Sequence, residues 1–413
     1  MGFIFVTLVL DIVGIGLVIP ILPKLVEGFE GGSVVAASNT FGLLAALYSL
    51  MQFVWAPLLG SLSDRFGRRP VILVSLLGSG LDYFLLAAAP NLGWFFVGRI
   101  VAGVTGANFA AATAYIADIS PPEKRAANFG LVGAAFGLGF IAGPALGGLL
   151  GNMGLRVPFY VAGCLTLLNW FYGLLVLPES LAPVNRRVFS WGRSNPVGAL
   201  MGLRRHPVVF GMTASYFAMH LAHQVFPSTW VLYTGYRYHW TVKQTGVSLA
   251  IVGLMAAIVQ GLLTRVVVKK FGERRTALLG LTVVSLCYAA YGLATEGWMV
   301  YVILFVGSIG GVTGPAIQGI ISRSVAANEQ GGVQGSLTSL ASVTGILGPP
   351  LATGLFSRFI DPSSSFQLPG AAFFFSALLS VVSLVLAARS FRLHPAPAGG
   401  DEPTNSTPAP AAH

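Results

Sequence analysis

Charge is scarce in this chain. Only 9% of its 413 residues are Asp, Glu, Lys or Arg, against 54% hydrophobic. A water-soluble fold this apolar could not clothe its core in polar surface. Cysteine is scarcer still: Cys164 and Cys287 both fall inside apolar runs, which argues against a disulfide framework. There is no HExxH, no GxxxxGK[ST] loop, no Ser-His arrangement and no paired-aspartate helix. The motifs of zinc proteases, nucleotide-driven machines and intramembrane proteases are therefore missing. An enzyme, a metal centre or a bound cofactor is not expected.

Long apolar runs are what the chain does have. Stretches of about 20 such residues read as membrane helices. Twelve can be drawn: 3–25, 39–62, 70–88, 94–117, 128–150, 157–177, 207–234, 245–268, 276–294, 298–321, 332–356 and 370–388. The first is too long, and too polar at Asp11, for a separate signal peptide to be expected. A net charge of +10 would suggest nucleic acid in a soluble protein. Here it has another source. With both ends of the chain cytoplasmic, only Lys24, Arg156, Arg237, Lys243 and Arg358 fall on the far side and Arg99 within a span. All other Lys and Arg collect on the cytoplasmic side, as in a multi-pass inner-membrane protein. The bilayer, not nucleic acid, is the expected partner.

Residues 179–206 form a polar, arginine-rich connector between two apolar portions, 1–178 and 207–390, and the Pro/Ala-rich tail 391–413 is expected to be disordered. The two portions look like copies. Lys270-Phe271-Gly272-Glu273-Arg274-Arg275 stands about 205 residues after Arg65-Phe66-Gly67-Arg68-Arg69. Gly103-Val104-Thr105-Gly106 recurs as Gly311-Val312-Thr313-Gly314, and Gly143-Pro144 as Gly348-Pro349. The expected fold is an all-α integral membrane protein of twelve helices in two pseudo-symmetric six-helix bundles. Substrate would lie between the bundles near mid-membrane, reached by rocking of one on the other.

Asp11 and Asp82 are the only acids well inside spans, roughly 12 and 18 Å deep at about 1.5 Å per residue. A carboxylate there costs about 2.5 kcal/mol or more and marks function by default. It can exchange a proton as its surroundings open and close. Arg99 is the one cation buried in a span. It is a candidate regulator of either acid or a static counter-ion, and the residues leave both open. The fifth span carries Gly130, Gly139, Gly143, Pro144, Gly147 and Gly148, a smooth face for a neighbouring helix. His220 and His223 share a helix face beside Gln224, without the further ligands a metal would need. A mixed polar and apolar cavity for a drug-sized molecule has Gln52, Asn108, Phe109, His220, Gln224, Trp230, Gln260 and Gln318 as candidate lining.

Gly60-x-x-x-Asp64-Arg65-x-Gly67-Arg68-Arg69, followed by Pro70 where a basic residue is usual, resembles the signature of major facilitator transporters. Asp11-x-x-Gly14-x-Gly16-Leu17-x-x-Pro20-x-Leu22-Pro23, Leu81-Asp82-Tyr83, Ile116-Ala117-Asp118, Glu296-Gly297-Trp298 and Glu329-Gln330-Gly331-x-x-Gln334-Gly335 resemble the tetracycline efflux proteins, which are drug:proton antiporters. The resemblance implies proton coupling at Asp11 and Asp82, and an antiporter motif in the fifth span. It also implies a cytoplasmic latch of Asp64, Arg68, Arg69 and Asp118, in which Asp64 faces the positive N-terminal end of the eleventh helix. At one position the chain departs from that family. The eighth-span histidine, four residues before a glutamine, is Ala256 here, ahead of Gln260. The expected function is proton-coupled export of an amphipathic small molecule by a monomer; a metabolite uniporter or proton symporter is the alternative.

Overall fold

The computed structural model describes residues 2–107, 109–121, 125–186, 207–324 and 330–393, and among them all regular structure is helical. The first half contains α1 (Gly2–Val18), α2 (Leu22–Phe29), α3 (Val34–Phe66), α4 (Arg68–Ala88), α5 (Leu92–Gly106), α6 (Phe109–Asp118), α7 (Arg125–Gly151) and α8 (Val157–Val176). The second contains α9 (Pro207–His223), α10 (Val225–Tyr238), α11 (Val242–Ile258), α12 (Thr264–Leu293), α13 (Gly297–Ser308), α14 (Thr313–Arg323), α15 (Gln330–Ile360) and α16 (Ala371–Leu393). Ten stretches of the described residues are long and apolar enough to cross a membrane, one of them the 52-residue run Val242–Leu293.

That run breaks at Gly272, whose φ of 72° and ψ of 162° are not helical. Gly67, with φ 107°, separates α3 from α4 in the same way. Only glycine takes such angles cheaply, so each half uses one glycine to end a helix at the basic loop. Several runs expected as single spans are divided, among them 3–25, 94–117, 207–234 and 298–321, and in two a proline lies at the break. Pro20 lies in the turn between α1 and α2, and Pro227 follows the break between α9 and α10. A proline has no N–H to give and crowds the carbonyl four residues back. A π-helical turn, Val259–Leu263, joins α11 to α12. The last helix runs to Leu393, three residues into the stretch expected as tail. Residues 394–413 and 187–206 lie outside the described residues.

Glycine sets how closely the helices approach. A Cβ on Gly143 (α7) would sit 2.5 Å from Cα of Gly16 (α1), so those backbones touch. Between the halves, α7 packs on α11 and α3 on α15. A Cβ on Gly246 would lie 2.5 Å from the Pro144 carbonyl and 2.9 Å from Gly148 Cα, and Ser357 Oγ donates to the Val35 carbonyl at 3.1 Å. These contacts lie at the end away from the basic loops. Toward the basic end a Cβ on Gly133, Gly261 or Gly335 would meet nothing within 4 Å. Among the described residues, the close backbone approaches between the halves fall toward the end away from the basic loops.

Candidate functional site

Asp11 on α1 and Asp82 on α4 are both buried, 7% and 3% exposed. They face inward within the first half. Arg99 on α5 lies with its guanidinium 5.7 Å from the centre of the Tyr48 ring, a cation–π distance. Its charge reaches Asp82, Tyr48 and Tyr83, and that of Asp11 reaches both tyrosines. The structure thus gathers two acids, one base and two phenols from four helices. Gly98 makes this approach possible: a Cβ there would meet Asp82 Oδ1 at 2.9 Å. That Oδ1 is buried and has no hydrogen-bond donor among the described residues, and neither has Arg99 Nε an acceptor. Tyr48 went unnoticed in the sequence, and Tyr83 stood there only as part of Leu81-Asp82-Tyr83, because buried tyrosines in apolar runs look like packing.

The basic end of the first half is built on Arg68, only 8% exposed. Its guanidinium pairs with Asp64, reaches Asp118 Oδ2 at 3.0 Å and donates to Ser63 Oγ at 2.8 Å. Arg69 donates to the Leu174 carbonyl at 2.7 Å. Gly60 and Arg65 stand on the last turns of α3. The carboxylate of Glu179 completes the cluster. It accepts from the Arg68 N–H at 2.9 Å and the Arg69 N–H at 3.3 Å, capping the orphan amides at the start of α4, where the helix dipole favours an anion. Nothing in the local pattern marks Glu179, since its partners are 111 and 110 residues away. Glu179→Ala is expected to lower stability by about 1 kcal/mol, the usual worth of a cap, measured by thermal unfolding in detergent. Glu179→Gln, which keeps one acceptor, should lose less.

The candidate substrate residues separate. His220, Gln260 and Gln318 line a cavity of about 520 Å³ inside the second half, with His223, Tyr288 and Phe226. His223 Nδ1 lies 3.2 Å from the Tyr288 hydroxyl, and the rings of Tyr216 and His220 are 4.1 Å apart. Gln318 donates to Gln334 Oε1 at 2.9 Å. Gln224 and Trp230 do not line this cavity. Gln224 is wedged against Gly345 and Gly348 of α15. Trp230 is sealed at 1% exposure, with its indole N–H on Ser248 Oγ at 2.9 Å. Gln52 bonds Tyr48 within α3 at 2.9 Å, and Phe109 stacks on Phe136 at 5.2 Å. Asn108 lies outside the described residues. On α7, Gly139 meets Ile12, Gly147 meets Leu17, and Gly148 meets α11 across the halves. Gly130 lies on the same helix. Ala256 lines the cavity near Gln260.

The description Major Facilitator Superfamily matches residues 4–349, and again 266–413. The chain belongs to the major facilitator superfamily. Major facilitators are membrane transporters rather than enzymes. Among the relatives of this major facilitator is the class C tetracycline resistance protein of Escherichia coli, 42% identical over 378 residues, or 92% of this chain and 93% of that protein. The class B tetracycline resistance protein of Escherichia coli is 35% identical over 401 residues, 96% of this chain and 97% of that one. The crystal structure of the human organic anion transporter MFSD10 superimposes with a TM-score of 0.70 at 23% identity, covering 94% of this chain and 98% of the other. It shows a shared fold.

Proposed function

We propose that this chain is a twelve-span drug:proton antiporter of the inner membrane, a monomer with both termini in the cytoplasm. It would export a drug-sized amphipathic molecule, with tetracyclines the first compounds to test. The observation that carries the reading is the pair of buried acids, Asp11 and Asp82, held with Arg99 in a bundle whose α7 packs backbone to backbone on the other half. The orphaned Oδ1 of Asp82 offers a proton a place to sit in a site that moves with the first half. The 42% and 35% identities to tetracycline resistance proteins support export as the direction. The open, arginine-rich end is then the cytoplasmic one, and substrate enters from it toward the His220 and Gln260 cavity.

Inverted membrane vesicles test this directly. In vesicles holding a proton gradient, adding tetracycline is expected to draw protons out, seen as a fall in the gradient reported by a pH-sensitive dye. A panel of lipophilic compounds that are taken up with no proton movement would establish a uniporter instead.

A further inference from the structure

Fixed charge is missing from the cavity of the second half. Among the described residues that line it there is no Asp, Glu, Lys or Arg. Asp11, Asp82 and Arg99 all belong to the first half. The cavity's histidines are uncharged in the form usual at neutral pH. A charged ligand would leave water for a site without a counter-ion, and such a transfer is costly.

Ring surface is what the walls offer instead. Tyr216, Phe226, Tyr288 and Tyr291 line the cavity. Phe226 and Tyr291 stand edge to face with centroids 5.6 Å apart. The sealed Trp230 ring stacks on Phe226 at 4.2 Å and fixes it in place.

Two irregular turns supply the rest of the wall. The π-helical turn Val259–Leu263 and the 3₁₀ turn Ile309–Val312 interrupt their helices here, and Val259, Gln260, Gly310 and Gly311 line the cavity. The turns touch: a Cβ on Gly311 would lie 3.4 Å from Val259 Cγ1. The paired glycines leave bare backbone against which a flat molecule can lie. A π turn inside a helix frequently marks a functional site. This one sets Gln260 on the wall, and its amide has no hydrogen-bond partner among the described residues. Gln318 donates to Gln334 at 2.9 Å, and its own Oε1 remains an acceptor. The polar groups are thus few, uncharged and set among rings, in a volume of about 520 Å³ that suits a drug-sized molecule.

We propose, on the export reading above, that the substrate is held as an uncharged, planar ring system with carbonyl or hydroxyl groups at its edge. It stacks on Phe226 and takes a hydrogen bond from Gln260. Exchange of such a molecule for protons moves net charge, so the membrane potential drives it as well as the pH difference.

Three 9,10-anthraquinones that differ only in a short arm (hydroxyethyl, trimethylammonioethyl or sulfonatoethyl) test the class by quenching the tryptophan fluorescence of the purified protein. The hydroxyethyl probe is expected to bind at least about tenfold more tightly than either charged one. Gln260→Leu should weaken it about two- to tenfold, the worth of one hydrogen bond. The same substitution should leave unchanged the anthracene with that arm, which lacks the carbonyls. Ala256→Asp, which adds a carboxylate to the wall, should turn the preference toward the trimethylammonio probe. Equal binding of the three, or tighter binding of a charged one, overturns the uncharged class. A series that ignores both substitutions overturns its placement in this cavity. In liposomes whose lumen is made positive with potassium and valinomycin at equal pH, the hydroxyethyl probe should alkalinise the lumen, read by a trapped pH dye. Alkalinisation by a charged probe alone also overturns the class. A hydroxyethyl probe that binds as expected while no probe moves protons overturns the antiporter reading and leaves the ligand class standing.

Discussion

Asp11→Asn is expected to leave the protein folded and inserted, still binding its substrate, and unable to pump it uphill. Asparagine keeps the size of the carboxylate and can keep its polar contacts, but it carries no titratable proton. Asp11 is 7% exposed and lies within electrostatic reach of Tyr48 and Tyr83, so the change is confined to one buried group. A proton crossing 100 mV supplies about 2.3 kcal/mol. Since about 1.4 kcal/mol is tenfold, one proton sustains a gradient of about fiftyfold. The variant should let the substrate level across inverted vesicles and accumulate none, with binding changed by less than about threefold, about 0.6 kcal/mol by the same conversion. Uphill accumulation at the unmodified level would remove Asp11 from the proton path.

Gly246→Leu should slow transport by a different route. The added Cβ would lie 2.5 Å from the Pro144 carbonyl oxygen and 2.9 Å from Gly148 Cα. Both are backbone atoms of the other half and cannot rotate away. Overpacking of this kind costs about 1–3 kcal/mol, and the whole cost falls on the joined form. A bias of that size changes the ratio of two conformers by about 5–150-fold. Distances between labels at the joined end should lengthen, and exchange should fall by a similar factor. Gly354→Leu is the control, because a Cβ there meets nothing within 4 Å. Equal losses from both substitutions would mean that helix insertion, not the junction, was damaged.

The sequence made the architecture legible because the membrane imposes so few choices. Apolar length marks the helices, and basic loops mark one end. The copied Phe-Gly-x-Arg segments gave away the duplication, and the two positive-φ glycines, Gly67 and Gly272, are the physical reason those segments match. Pro20 and Pro227 were read through, since hydropathy continues across a proline while the hydrogen-bond ladder does not. At the site, Asp11, Asp82 and Arg99 stood out by their charge in an apolar setting. Glu179 did not, because its role is set by backbone amides more than a hundred residues distant. Trp230 was a candidate for the cavity lining, yet its indole N–H is satisfied in the core by Ser248. A side chain's type shows in sequence; which of its faces is occupied does not.

The joined end is made of glycine set against carbonyl oxygen and Cα, with no charge at the contact between Gly246, Gly148 and Pro144. Dispersion of this kind loses a quarter to a half of its strength over a gap of about 0.5–1 Å. Such a seam holds firmly, then lets go within a very small displacement, and from a distance it gives the separated helices no guidance back. Return would lean on shape, on the few polar contacts such as Ser357 to Val35, and on the lipid that closes around the bundle. Bilayer thickness and lateral pressure would then govern how quickly that side reseals.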